Sequence, residues 1–81
     1  MFELDARKNL PIYEQVIRRV KELYLLGVLR PGDRLPSVRE LAAQIVANPN
    51  TVSKAYQELE RQGVIETRPG KGTFIAERPS L

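Results

Sequence analysis

Ser37-Val38-Arg39-Glu40-Leu41-Ala42-Ala43-Gln44-Ile45-Val46-Ala47-Asn48-Pro49-Asn50-Thr51-Val52 is the stretch on which the fold turns. Ser37-Val38-Arg39-Glu40 fits a capping box: the Ser oxygen accepts a backbone N–H while the Glu side chain reaches back to the cap. A helix is therefore predicted to begin at Ser37. Its inward residues, Val38, Leu41, Ala42 and Ile45, recur at helical spacing, and the pattern stops at Val46-Ala47-Asn48-Pro49. Asn48 is a good N-cap and Pro49 a favoured first helical residue. Val52, Ala55, Tyr56 and Leu59 then supply a new apolar stripe, which predicts a further helix to about Gln62 with Gly63 as its stop.

Upstream of this pair, Ile12, Val16, Val20 and Leu23 mark an amphipathic helix from Pro11 to about Leu26. Pro11 suits its first turn and Gly27 its end. Tyr13, Ile17, Tyr24 and Leu25 widen the stripe, which predicts neighbours on more than one side. Arg30-Pro31-Gly32-Asp33 is dense in turn formers, and Arg34-Leu35 after it can form a very short strand. Downstream, Val64-Ile65-Glu66-Thr67 and Gly72-Thr73-Phe74-Ile75-Ala76 are β-prone and joined by Arg68-Pro69-Gly70-Lys71, a hairpin with a basic tip. Glu77-Arg78-Pro79-Ser80-Leu81 reads as a frayed end.

A short helix, a tight turn, a longer helix and a basic hairpin make the outline of a winged helix-turn-helix: mainly α, three helices plus a small β wing. With 100° per residue and Val52 at the origin, Ala55, Tyr56 and Leu59 fall within about 60° of it, so the third helix has one buried face. Asn50, Ser53, Lys54, Gln57 and Arg61 lie opposite. The N-terminal half of that outer face is polar and uncharged or positive, as a helix reading base edges in a major groove would be. The N-terminus of this helix presents free backbone N–H groups and a positive dipole end, suited to a phosphate, with Asn48, Asn50 and Thr51 able to add hydrogen bonds. Arg39, with Ser37 beside it in the capping box, is placed to clamp a phosphate or reach a guanine edge. Arg34 can approach the same backbone, or pair with Asp33 or Glu40. At the hairpin tip Gly70 and Gly72 clear the way to a minor groove, while Arg68 and Lys71 bring charge. The competing account is an ordinary solvated helix face, caps that only cap, and a simple turn with solvated charges.

Composition narrows the function classes. The chain has 81 residues, room for one small domain, with 42% hydrophobic and 28% charged residues, as folded chains have. It holds neither Cys nor His, which excludes disulfides, thiol catalysis and imidazole catalysis and removes the usual transition-metal ligands. Gly70-Lys71-Gly72-Thr73 lacks the spacing of a phosphate-binding P-loop. No nucleophile with a partner base and no cofactor fingerprint is present, so neither an enzyme nor a cofactor is predicted. No apolar run approaches the roughly 20 residues of a membrane span, and the chain reads as cytoplasmic. The formal net charge of +3 is compatible with a polyanion without requiring one.

Leu35-Pro36-Ser37-Val38-Arg39-Glu40-Leu41-Ala42, Asn48-Pro49-Asn50-Thr51-Val52, Tyr56-Gln57-Glu58-Leu59-Glu60 and Gly70-Lys71-Gly72-Thr73-Phe74, in that order, closely resemble the N-terminal domain of GntR-type bacterial regulators. The opening Pro11-Ile12-Tyr13-Glu14-Gln15 is most similar to the YtrA-type subgroup, with the MocR-type next. The resemblance implies a winged helix that binds double-stranded operator DNA at two half-sites as a homodimer. It implies phosphate or base contacts at Arg39, Asn48, Asn50, Thr51 and Ser53 and a wing contact around Gly70. Two departures stand out. Pro49 occupies a position where some relatives place a base-reading Arg, and Val46 stands where the family usually has Gly, so a β-branched residue faces a turn that often needs positive φ, and either the turn differs here or stability is reduced.

On this reading residues 1–9 are an N-terminal arm, 10–76 the winged helix-turn-helix, and 77–81 a tail or the start of a linker. In the family a second domain that dimerises, and often senses a small-molecule effector, follows the wing. The alternative function is a winged-helix protein-interaction module, since fold does not dictate function.

Overall fold

The computed structural model describes residues 2–4 and 9–81. Helix α1 spans Ile12–Leu25, strand β1 Arg34–Leu35, helix α2 Val38–Ile45, helix α3 Pro49–Arg61, strand β2 Ile65–Arg68 and strand β3 Gly72–Ile75. The predicted order of elements is thus present. Pro11 stands at the N-cap of α1 instead of inside its first turn, and its carbonyl accepts the Gln15 N–H at 3.0 Å. At the other end Gly27, with φ 78°, closes the helix through bonds from the Val28 and Leu29 N–H groups to the Leu23 carbonyl.

Both predicted caps form. Ser37 Oγ accepts the Glu40 N–H at 3.1 Å while Glu40 Oε1 accepts the Ser37 N–H at 2.9 Å, and Asn48 Oδ1 accepts the Asn50 N–H at 2.8 Å. The second bond of the box holds the Glu40 carboxyl below its usual pKa, the backbone N–H of Ser37 being the main cause.

Helix α3 is the centre of the packing: α1, α2 and β2 all lie against it. Its stripe of Val52, Ala55, Tyr56 and Leu59 is buried against Val16, Val20 and Leu23 of α1, Leu41 and Ala42 of α2, and Leu35, Val64, Ile65 and Ile75 of the sheet region in one core. Val38 and Ile45 are half-buried. Phe2 enters the same core although it falls within the segment expected to be an arm, whereas residues 1 and 5–8 of that segment lie outside the described residues. Leu25 does not widen the buried stripe, being 73% exposed. The tail is less free than its composition suggests, because the Ser80 N–H donates to the Gly63 carbonyl at 3.2 Å.

The three strands form an antiparallel sheet in the order β1-β3-β2, with Arg34 opposite Phe74, Leu35 opposite Thr73, and Arg68 opposite Gly72. Pro69 followed by Gly70 at φ 74° is the residue pair a type II turn demands, and the turn is closed by the Lys71 N–H on the Arg68 carbonyl at 2.9 Å.

Val46 is the exception to local rules. It ends α2 in the left-handed region, with φ 54° and ψ 55°, and is the one non-glycine residue with positive φ among those described. In that region Cβ crowds the following carbonyl oxygen at a cost of about 1–2 kcal/mol. Its side chain is 91% exposed, so packing does not offset the strain. Val46→Gly is expected to stabilise the domain by about 1 kcal/mol after the greater backbone freedom of unfolded Gly is allowed for. For a domain of this size that raises Tm by about 4–8 °C in a thermal melt followed by circular dichroism. A fall of several degrees would rule the strain out.

Candidate nucleic-acid interface

The outer side of α3 is set by what its inner side buries. With Val52, Ala55, Tyr56 and Leu59 committed to the core, Asn50, Lys54, Gln57 and Arg61 are exposed and Thr51 and Ser53 half-exposed. Tyr56 fixes the helix against what precedes α2: its hydroxyl donates to the Pro36 carbonyl at 2.7 Å. Burial, and secondarily the Glu40 carboxylate, pushes the phenol pKa up, so this donor stays protonated. Gln57 Nε2 donates to Ser53 Oγ at 3.4 Å along the outer face.

The carboxylates of α3 are turned to internal use. Glu58 takes both nitrogens of the Arg61 fork, at 2.8 and 2.6 Å, and Gln62 Nε2 at 2.7 Å. These bonds, Arg61 first, lower its pKa to about 2. Glu60 accepts the Thr67 N–H at 3.1 Å and so ties α3 to β2. The stretch Pro49 to Gln57 contains no acid, and its polar surface meets no carboxylate of its own.

At the start of α3 the structure corrects one expectation. The backbone N–H groups of this end are not free: Pro49 has none, Asn50 gives its own to Asn48 Oδ1, and Thr51 donates to the Asn48 carbonyl at 3.0 Å. The dipole end remains, but direct backbone capture of a phosphate there would first have to break these bonds. What the fold brings together instead is Arg39 of α2 and Pro49 of α3, which share an open depression with Ala42, Ala43, Val46 and Ala47. None of the last four is among the contact residues expected from the sequence, because small apolar residues at a helix end and turn look like packing. A second open groove, between α1 and α3, adds Tyr13 to Lys54, Gln57, Glu58 and Arg61.

The cations divide into two groups. Arg39, Arg34, Lys54 and Lys71 are exposed and make no ion pair among the described residues, so the pairing of Arg34 with Asp33 or Glu40 does not form. Arg68 is turned back into the wing, donating to Glu66 at 2.8 Å and Glu77 at 3.5 Å with its guanidinium 4.3 Å from the centre of the Phe74 ring. It stiffens the hairpin, and its charge is already answered by two carboxylates. Gly70 has open space around it at the tip. Gly72, with φ 129°, serves the interior of the wing: a Cβ there would lie 3.1 Å from Arg34 Nε, so its missing side chain lets Arg34 lie across the hairpin. Ser37, Asn48, Asn50 and Lys54 are exposed and Thr51 and Ser53 half-exposed, with Ser37 and Asn48 also serving as helix caps. Arg68 and Gly72 have internal partners.

Residues 12–75 match the family described as bacterial regulatory proteins, gntR family. The chain is 64% identical over 77 residues to the HTH-type transcriptional repressor YtrA of Bacillus subtilis (strain 168), covering 95% of this chain and 59% of that protein. A crystal structure described as a transcriptional antiterminator from Listeria monocytogenes EGD-e superposes with a TM-score of 0.89 at 54% identity, over 100% of this chain and 60% of that one. The DNA-binding domain of AraR, solved in complex with operator ORE1, superposes with a TM-score of 0.78 at 32% identity over 90% of this chain and 89% of that one. The chain spans about three-fifths of the length of the YtrA and Listeria proteins.

Proposed function

Because the chain belongs to the GntR family of bacterial regulatory proteins, we propose that it binds double-stranded operator DNA through a winged helix-turn-helix, α3 entering the major groove and the wing touching the adjacent minor groove. The observation that carries this is the outer side of α3. Over Pro49 to Gln57 it is polar and free of carboxylates, it is held rigidly by the buried opposite side, and it starts beside an unpaired Arg39. Likeness to a domain solved on its operator supports the same orientation. The chain performs no chemistry in this role: occupancy of the operator alters transcription, and the site of action is the cytoplasm.

The whole regulator binds two half-sites as a homodimer, with effector sensing in a further domain. A single head then binds more weakly than the dimer, since linking two half-site binders makes the second contact intramolecular and adds about 10²-fold or more.

The test is an NMR titration of the labelled chain with a short duplex at low and moderate salt. Backbone amides of Arg39, Asn50, Ser53, Lys54 and Gly70 to Gly72 are expected to shift together, with affinity falling steeply as salt rises through release of counterions from neutralised phosphates. Amides that stay still at these positions would overturn the reading and turn attention to protein partners.

A further inference from the structure

We propose that the turn between α2 and α3 is a specificity element that reads the C5-methyl of a thymine in the major groove. The methyl would sit in the open depression formed by Ala43, Val46, Ala47 and Pro49, beside the base or phosphate held by Arg39. The proposal rests on the operator-binding reading and deepens it.

Among the side chains that line the depression, only that of Arg39 can hydrogen-bond a base edge. Pro49 lacks an N–H, and the N–H groups of Asn50 and Thr51 are occupied by Asn48. Its surface is otherwise the methyls of three alanines, an isopropyl group and a pyrrolidine ring. In the major groove of unmodified DNA the thymine methyl is the apolar group on offer, and small apolar side chains are its usual partners. No carboxylate lines the depression and a cation stands at its rim, which matches a polyanionic ligand.

Val46 supplies the independent sign. It holds a left-handed conformation that glycine would take without strain, yet its side chain is 91% exposed. A β-branched residue that costs stability and packs against nothing in the free protein is accounted for by a surface it covers in the complex. Ala43 and Pro49, also exposed, frame that side chain from the two flanking helices.

The experiment starts from a duplex selected by the chain from random sequences. Each thymine is replaced in turn by deoxyuridine, which deletes the methyl and leaves the hydrogen-bonding edges intact. Affinity is expected to fall about fourfold, the effect of burying one methyl, at one thymine per half-site, and to be unchanged at the others. Val46→Gly, which relieves backbone strain and should fold, and Ala43→Ser, which places a hydroxyl at the depression, are each expected to bring the thymine-to-uracil ratio at that position towards one. A selected operator indifferent to every methyl, or a methyl dependence untouched by both variants, would overturn the proposal and leave operator binding standing. Failure to select any preferred sequence would overturn the operator reading itself.

Discussion

Leu59→Ala is expected to destabilise the domain by about 2–5 kcal/mol, the range for a buried Leu truncated to Ala where the surroundings collapse only in part. Leu59 is fully buried on α3, the helix that α1, α2 and β2 all pack against, so the cavity would open at the junction of three elements. The Leu59 carbonyl also receives the Val64 N–H at 2.9 Å as the chain leaves α3 for the sheet, so repacking there disturbs the approach to the wing. At about 0.05–0.15 kcal/mol per residue, a domain this small has a total stability of only about 4–12 kcal/mol. The variant should therefore lose about a sixth of it or more. Urea unfolding checks this: the midpoint should fall sharply at constant slope. Leu25→Ala, on a residue 73% exposed, serves as the contrast and should move the midpoint hardly at all. Equal effects at the two positions would show that α3 is not the organising helix.

Arg39→Ala is expected to weaken binding to a selected operator by about tenfold to a hundredfold while leaving the melting temperature in place. The guanidinium is exposed, has no ion pair among the described residues, and lies on the rim of the depression that α2 and α3 share, so its removal breaks nothing inside the fold. Arg78→Ala, which deletes the same charge from the C-terminal tail, controls for the general loss of positive potential. If Arg39 pairs with a guanine edge, the loss should be confined to one base position and selectivity there should relax. If it binds phosphate, affinity should fall evenly across sequences and the salt slope should shrink by about one. An Arg39 variant no weaker than the Arg78 control would remove this residue from the interface.

The elements themselves were legible because each rests on signals a few residues long. The capping box at Ser37 and Glu40, the Asn48-Pro49 start of α3, the period of Val52, Ala55, Tyr56 and Leu59, and the Pro69-Gly70 turn all act within one or two turns of chain. Val46 was legible only through the resemblance, which puts a usual Gly at its position, and the structure keeps the positive φ there, at 54°.

The candidate interface was legible only in part. Asn50, Lys54 and Gln57 follow from helical geometry once the buried stripe is known, and the structure exposes them. The fate of the wing does not follow. Arg68 and Lys71 are both basic residues of one hairpin, yet Glu66 and Glu77 claim the first and leave the second exposed. Gly70 and Gly72 look alike in the sequence, but Gly70 meets open space and Gly72 makes room for Arg34.

The sequence by itself therefore determined where helices begin and end and which face of α3 is buried, since these depend on backbone sterics and local hydrogen bonds. Only the tertiary structure decided that Phe2 joins the core, that Tyr56 ties α3 to Pro36, that Arg68 is spent inside the wing, and that Arg39 and Pro49 meet across an apolar depression. Those outcomes depend on which distant side chains the packing of α1, α2 and the sheet onto α3 brings within a few ångströms, and no local pattern encodes that distance.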